Sequence, residues 1–500
     1  QDTGRHKAAL LQGVRLAEAE NWLRKRPEEL SLLEQELIKL SIEWRERQKQ
    51  EKQQRIKRTT FLLLFISSAL ISFIIGVLTD FSAPSRIPVK DLKIQSEVTE
   101  AKILARSARG AELFASNQQL EGLIGSLRSG KELKLLGWKN PELNNEVIDT
   151  LQKIVDEIKE QNRLQVNQGS VISVSFSVSG IAVASAGENG TVKVWNLEGK
   201  LFSFRGNQAS VTSVAFSPDN KLLASGGENG TVYFWNSRGE LLRSFKGNQG
   251  SVTSVTFSPD SKFLASAREN DTVDLWTLYG KERLLGGELL RSFKGNQGSV
   301  TSVTFSPDGK FLASAGENGT VKSWKSEGEL LRSFKGNQGS VTSVTFSPDG
   351  KFLASGAENG TVHLWNLQGE LEWKFNVPKG AVNSVRFSPD GKLLATAGAD
   401  GTARLWDLNS RQQSEEFQVP EGAINTISFS PDGNLLATGG EDGTIRFWNL
   451  QKQQQPTSTE NQNLDELLER GCNWVRDYLE NNPEVNESDR TLCNDIIDNG

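Results

Sequence analysis

The chain has 500 residues, enough for several domains, and its share of hydrophobic residues, 36%, and of charged residues, 24%, is that of a globular protein. Its net charge of −5 excludes the broadly basic surface expected of a nucleic-acid-binding protein, so no nucleic-acid partner is expected. Its two histidines, His6 and His363, and two cysteines form no metal-ligand spacing or catalytic set, so no metal site, cofactor or catalytic residue is predicted.

The first segment, residues 1–58, is predicted to be a helical arm. Ser31 and Glu34 have the spacing of a capping box, and an amphipathic apolar stripe follows them. The chain contains no Met and begins with Gln1, so we expect a fragment or a processed product of a longer protein. An upstream catalytic domain would then lie outside this sequence.

Residues 59–79 contain no charged side chain. At about 1.5 Å per residue, a helix of this length spans roughly the 30 Å hydrocarbon layer of a bilayer. The alternative, a buried core helix, is rarely apolar on every face over such a length. The stretch therefore predicts a single transmembrane helix, with the lipid bilayer as a partner.

Basic residues flank this stretch unequally. Seven Lys or Arg residues lie between positions 45 and 58, and three lie between positions 80 and 95. Since basic residues favour the cytoplasmic side, we expect the arm to be cytoplasmic and the rest of the chain to lie across the membrane.

Residues 80–162 are predicted to be a juxtamembrane helical region. Asn140-Pro141 has the chemistry of a helix start, and Val147, Leu151, Ile154 and Ile158 form an apolar stripe behind it. We expect these helices to pack on one another or on a second copy of the chain. The segment 125–132 is close to a phosphate-binding loop, but no strand precedes it, and we interpret the similarity as coincidence.

Residues 163–450 contain seven copies of one block, with steps of 40 to 48 residues, a period typical of repeated four-stranded units. In each copy a period-two strand ends at a Ser-Pro-Asp-like turn, a second strand leads to a hairpin of the predicted primed type, and a third strand ends at Trp. The hairpin has Asn-Gly or Asp-Gly in six copies and Asn270-Asp271 in the third. The seven tryptophans are Trp195, Trp235, Trp276, Trp324, Trp365, Trp406 and Trp448. The pattern predicts an all-β seven-bladed propeller, which a strand at Leu164-Gln165-Val166 completes in its seventh blade.

These blocks resemble the WD-repeat β-propeller family. Its hydrogen-bonded His–Ser–Trp–Asp set cannot be complete here, because Gly-Asn replaces Gly-His and only Trp406-Asp407 is a literal Trp-Asp pair. The Ser or Thr of the set remains in every copy: Ser185, Ser225, Ser266, Ser314, Ser355, Thr396 and Thr438.

The resemblance also implies one face on which two kinds of loop meet: those joining fourth to first strands and those joining second to third strands. Glutamates and asparagines recur there: Glu188, Glu228, Glu269, Glu317, Glu358 and Glu441, with Asn207, Asn248, Asn296 and Asn337. We interpret them as a rim that binds a protein partner. The alternatives are that the glutamates are only solvated and that the asparagines replace the missing His in loop hydrogen bonds.

A polar linker is predicted at 451–463 and an acidic helical tail at 464–500, with an amphipathic helix from Leu464 to Leu479. The tail holds Cys472 and Cys493. Two interpretations stay open: a disulfide, which would indicate an oxidising compartment, or two buried thiols.

The N-terminal arm resembles the linker that follows the nucleotide-binding module of bacterial STAND-type signalling ATPases, and the tail resembles a cap of cyanobacterial WD-repeat proteins. The predicted function is a non-catalytic, membrane-anchored interaction scaffold or sensor in signal transduction. The alternative is the regulatory C-terminal part of a STAND-type ATPase whose catalytic domain is not in this chain.

Overall fold

The computed structural model describes residues 89–136, 140–166, 169–196, 199–205, 209–236, 239–246, 250–278, 288–294, 298–335, 339–451, 463–482 and 485–497. The predicted arm at 1–58 and the predicted span at 59–79 lie outside these residues, as does most of the linker at 451–463. Within the described ranges no helix is long and apolar enough to cross a bilayer.

In the part of the chain that the structure describes, twenty-eight strands form seven antiparallel sheets of four. In chain order they are β1 Glu160–Gln165, β2 Val171–Phe176, β3 Ala182–Gly187, β4 Thr191–Asn196, β5 Gly199–Arg205, β6 Val211–Phe216, β7 Leu222–Gly227, β8 Thr231–Asn236, β9 Leu241–Lys246, β10 Val252–Phe257, β11 Phe263–Arg268, β12 Thr272–Thr277, β13 Leu289–Lys294, β14 Val300–Phe305, β15 Phe311–Gly316, β16 Thr320–Lys325, β17 Leu330–Lys335, β18 Val341–Phe346, β19 Phe352–Ala357, β20 Thr361–Asn366, β21 Leu371–Asn376, β22 Val382–Phe387, β23 Leu393–Gly398, β24 Thr402–Asp407, β25 Gln412–Gln418, β26 Ile424–Phe429, β27 Leu435–Gly440 and β28 Thr444–Asn449.

The seven sheets close into a ring. The first strand of each repeat lies at the axis and contacts the first strand of the next repeat, and β26 of the seventh sheet contacts β2 of the first. Apolar clusters lie between neighbouring sheets, each built from Val, Ala, Phe and Trp side chains. No single four-stranded sheet buries both of its faces, so the ring supplies the packing that each sheet lacks. The predicted seven-bladed propeller is confirmed.

The seventh sheet contains strands from both ends of the domain. β1 pairs antiparallel with β28, with Leu164 opposite Ile445, and the amide of Val166 donates to the carbonyl of Gly443 at 3.0 Å. The predicted closure is therefore confirmed, although the strand begins at Glu160, four residues before the predicted one. The difference arises because Glu160 is polar but completely buried, which an apolar pattern does not signal.

The predicted primed hairpin turn is wrong. A type I′ turn needs positive φ at both central residues, but among Asn189-Gly190 and its counterparts only the second residue has it, for example Gly190 at +76°. The amide of Gly190 donates to the carbonyl of Gly187, so the central residues are Glu188 and Asn189. The turn is of type I followed by a left-handed Gly, and Asn189 Oδ1 accepts from Thr191 N at 3.1 Å.

Six helices of the described residues lie beside the ring: α1 Val89–Ala115, α2 Gln119–Leu136, α3 Pro141–Glu157, α4 Leu464–Asn481, α5 Glu487–Arg490 and α6 Asn494–Ile497. Asn140 caps α3 with Pro141 at its first position, as predicted. The predicted stripe of Val147, Leu151, Ile154 and Ile158 is buried.

The two helical regions that the sequence separates form one core. Leu123 and Leu127 of α2 share a buried cluster with Leu468 and Val475 of α4. Cys472 and Cys493 are joined by a disulfide within this cluster, with their Cα atoms 5.5 Å apart. We call α1–α6 the helical module. The apolar stripe of α3 predicts that one face of the helix is buried, but it does not identify the helix that covers that face. For this reason the tail was predicted to be a separate region.

The helical module covers the outer edge of β1. Gln119 Oε1 accepts from the amides of Lys159 and Glu160 at 2.8 and 3.0 Å. From α4, Trp474 Nε1 donates to the carbonyl of Glu160 at 3.0 Å. An open sheet edge invites pairing with other chains, and here helices shield it.

Candidate interaction surface

Each of the seven repeat tryptophans is held by one hydrogen bond. Its Nε1 donates to the hydroxyl of the Ser or Thr ten residues earlier, over 2.9 to 3.3 Å. All seven rings are buried. The Ser–Trp half of the incomplete four-residue set is therefore present in every sheet, and it ties the second strand of each sheet to the third.

Two kinds of loop meet on one face of the ring, which we call the loop face. A Cβ added at Gly230 would lie 2.7 Å from the carbonyl of Gly250, and one added at Gly360 would lie 2.8 Å from that of Gly380. Each pair joins a second-to-third-strand turn to the loop that leads into the next repeat. The asparagines predicted in those loops, Asn207, Asn248, Asn296 and Asn337, lie outside the described residues.

All six predicted glutamates are exposed on the loop face, but they are not equivalent. Three accept a bond from the loop that leads into the first strand of the same repeat: Glu188 from the amide of Ser170, Glu269 from the hydroxyl of Ser251, and Glu441 from the amide of Ala423. A second group, which we call the unpaired glutamates, consists of Glu228, Glu317 and Glu358. Their carboxylates make no hydrogen bond or ion pair within the described residues. This division depends on the geometry of the loops, so the repeated sequence does not show which glutamates are bonded.

The opposite face carries the Ser-Pro-Asp-like turns, and Asp residues of these turns are paired with Lys. Asp308 accepts from the hydroxyl of Ser306 at 2.6 Å and lies 3.2 Å from Lys310 Nζ. The hydrogen bond from Ser306 holds the pKa of Asp308 below its usual value. The same Asp–Lys pair recurs at Asp349 and Lys351 and at Asp390 and Lys392. The Asp carboxylates of these turns are thus paired, whereas Glu228, Glu317 and Glu358 on the loop face have no bonded partner among the described residues.

A series of hydrogen bonds joins neighbouring inner strands around the axis, and it was not predicted from the sequence. The second residue of an inner strand donates to the first backbone carbonyl of the next inner strand, as Thr301 does to Val341 and Asn425 to Val171. Six of the seven junctions have this bond; the donors are Thr212, Thr253, Thr301, Thr342, Asn383 and Asn425. Ile172 stands at the seventh. The Thr recurrence is visible in the sequence, but its partner strand is not.

The described residues offer little for catalysis. No group of three or more His, Cys, Asp or Glu among them could hold a metal ion. His363 is buried against Trp365, with ring centroids 5.2 Å apart, and desolvation together with Lys374 lowers its pKa to about 4. Its imidazole is therefore neutral at pH 7 and inaccessible to a substrate.

The segment 125–132 lies inside α2, which agrees with its interpretation as coincidence. Its glycines serve helix packing. A Cβ at Gly130 would lie 3.0 Å from Leu468 of α4, and Gly125 lies against Gly110 of α1. A helical backbone has already used the amides that would otherwise bind phosphate.

Family models match most of the ring. The model described as WD domain, G-beta repeat, matches residues 159–196, 199–236 and 239–277, and the model described as IFT122 first beta-propeller matches residues 283–454. The chain contains WD40 repeats. No curated protein matches it. WD40 propellers are generally non-enzymatic scaffolds that bind protein partners. The propeller of this chain has seven blades.

Proposed function

We propose that this WD40 propeller is an interaction scaffold that binds a protein partner of basic character on its loop face. The observation that carries the proposal is the set of unpaired glutamates, Glu228, Glu317 and Glu358, on three different sheets. Exposed carboxylates without an internal partner can pair with Lys or Arg of another protein at no cost to the fold. Complementary charge steers such encounters and selects between partners.

The test is a charge reversal confined to the unpaired glutamates. The triple variant Glu228→Lys, Glu317→Lys and Glu358→Lys should fold normally, since none of the three side chains bonds within the described chain. The amount of partner protein that is captured by cross-linking in the native host should fall at least tenfold relative to wild type. Reversal of Glu441 is avoided because its bond to Ala423 would break as well.

A matched control changes the same net charge elsewhere. Glu288→Lys, Glu327→Lys and Glu469→Lys reverse exposed glutamates on the opposite side of the ring and on α4. This variant should keep its partners. Equal capture by both triple variants would contradict the placement of the partner on the loop face.

We also propose that residues 59–79 tether the propeller to a membrane and that the propeller lies on the non-cytoplasmic side. The uncharged stretch and the basic residues before it support the tether and its orientation. The disulfide between Cys472 and Cys493 supports an oxidising compartment. Thiol labelling of the intact chain in its host tests this, because two free thiols in the folded protein would contradict it.

We further propose a role in signal transduction, either as a sensor or as the regulatory part of a STAND-type ATPase. The resemblance of the N-terminal arm to the linker of such ATPases supports this proposal. ATP turnover by the intact gene product tests the second form. This chain alone is expected to show none.

A further inference from the structure

The seven inner strands leave one charged residue at the axis of the propeller. They are uncharged at every position except Arg386 of β22. At the same register, opposite an Ala of the second strand, the other six have small residues: Ser175, Ala215, Thr256, Thr304, Thr345 and Ser428. All seven are half-buried, and in six of them both chain neighbours are buried, so they form one ring around the axis. We call it the axial ring.

Among the described residues, the Arg386 guanidinium has no negative partner. Its Nη1 donates to the carbonyl of Val385 at 2.8 Å and to Ser343 Oγ at 3.4 Å, and both acceptors are neutral. It forms no ion pair within the described residues. Desolvation lowers the pKa of Arg386, and no carboxylate counteracts it. A desolvated charge without a counter-ion is costly unless something pairs with it.

The free side of the guanidinium has the geometry of an anion receptor. Nε and Nη2 make no hydrogen bond to the described residues, and together they form the planar two-donor edge that matches two oxygens of a phosphate or carboxylate. The neighbouring axial-ring positions, Thr345 and Ser428, carry hydroxyl groups. That of Ser428 can donate to the same ligand, and that of Thr345 can do so only in exchange for its 3.4 Å bond to the carbonyl of Phe346. Arginine, rather than lysine, suits such two-point recognition.

From this arrangement we propose a small-oxyanion site at the axis of the propeller, with Arg386 as its central residue and inorganic phosphate as the representative ligand. Bound phosphate supplies the missing negative charge and holds the fifth, sixth and seventh inner strands around one ion. The site is separate from the loop face, and it does not depend on the proposed protein partner.

The decisive variant is Arg386→Thr, because Thr is the native residue at this register in the third, fourth and fifth sheets. The fold should accept it, and without phosphate its melting temperature should equal or exceed that of the wild type. Arg332→Thr is the matched control, since it removes the same charge from an exposed position of β17.

Titration calorimetry of the full chain in detergent, with sodium phosphate against sodium chloride at equal ionic strength, measures the affinity. Wild type and Arg332→Thr should bind one phosphate per chain, and Arg386→Thr should bind at least tenfold more weakly. Arg386→Lys keeps the charge but not the two-donor edge, so it should also bind more weakly than wild type. Absence of saturable binding by wild type, or an affinity of either Arg386 variant equal to that of wild type, would overturn the site.

Discussion

Single residues decide how closely the loops of this propeller approach one another. Gly360 has a φ of +80°, and an added Cβ would lie 2.8 Å from the carbonyl of Gly380. Gly350, in the Ser-Pro-Asp-Gly turn of the same sheet, has a φ of +69°, but its nearest neighbour would be Pro307 at 3.7 Å. The two glycines share a backbone conformation and differ in their surroundings.

The pair separates conformational strain from steric contact. Both Gly360→Ala and Gly350→Ala should lose about 1–2 kcal/mol of unfolding free energy, because a side chain disfavours the left-handed region. Gly360→Ala should lose roughly a further 1–3 kcal/mol from the forced shift of a backbone carbonyl. Urea unfolding of both variants measures the difference, and equal losses would show that the loop contact is not rigid.

The sequence predicts some residue roles and misses others for a physical reason. The Trp and Ser positions follow from the period, because their bond joins adjacent strands of one repeat. The turn around Asn189 was assigned to the wrong type, since Asn-Gly fits both a primed turn and the end of a type I turn. The unpaired state of Glu317 could not be predicted, because it depends on whether a neighbouring loop bends toward its carboxylate.

At the scale of elements, β1 is the strand on which the ring and the helical module meet. Glu160 is completely buried, and Arg163 binds it through Nε at 2.9 Å and Nη2 at 2.7 Å. Arg163 also reaches Glu121 of α2 at 2.7 Å, and Arg446 of β28 lies 3.6 Å from Glu160. Burial raises the pKa of Glu160, and Arg163 opposes that shift. Arg163 therefore neutralises the buried charge and links β1 to α2.

Loss of that arginine should weaken closure of the ring. Arg163→Met keeps the aliphatic stem but leaves Glu160 with only the longer contact to Arg446, so we expect a loss of about 3–5 kcal/mol in urea unfolding. Glu121→Gln removes only the partly exposed partner and should cost less than about 1 kcal/mol. The double variant Glu160→Leu with Arg163→Met should recover most of the loss. A single Arg163→Met variant as stable as wild type would refute this role of the buried pair.

At the scale of the whole molecule, the propeller and the helical module are separate cores joined at one strand. The apolar clusters between the sheets contain no residue of α1–α6, and the helical cluster contains none of the strands. The disulfide lies in the helical cluster alone. The disulfide should therefore stabilise the helical module and not the propeller.

Replacement of both cysteines by serine tests this separation. The disulfide spans 21 residues, for which chain entropy gives about 3 kcal/mol. Amide hydrogen exchange in residues 485–497 should rise at least tenfold, while β14 and β18 on the far side of the ring should be unchanged. Faster exchange in those inner strands would show that the two cores unfold as one.

The pairing of β1 with β28 also constrains how the protein is made. The amide side chain of Gln165 bonds to the carbonyl of Asp442, 277 residues further along the chain. At about 5–20 residues per second, a ribosome needs roughly 15 to 55 s to synthesise that interval. During this time β1 has left the ribosome but has no partner strand, and Trp474, which later shields it, has not been synthesised. A chaperone that protects the nascent chain is expected to act longest on this first strand.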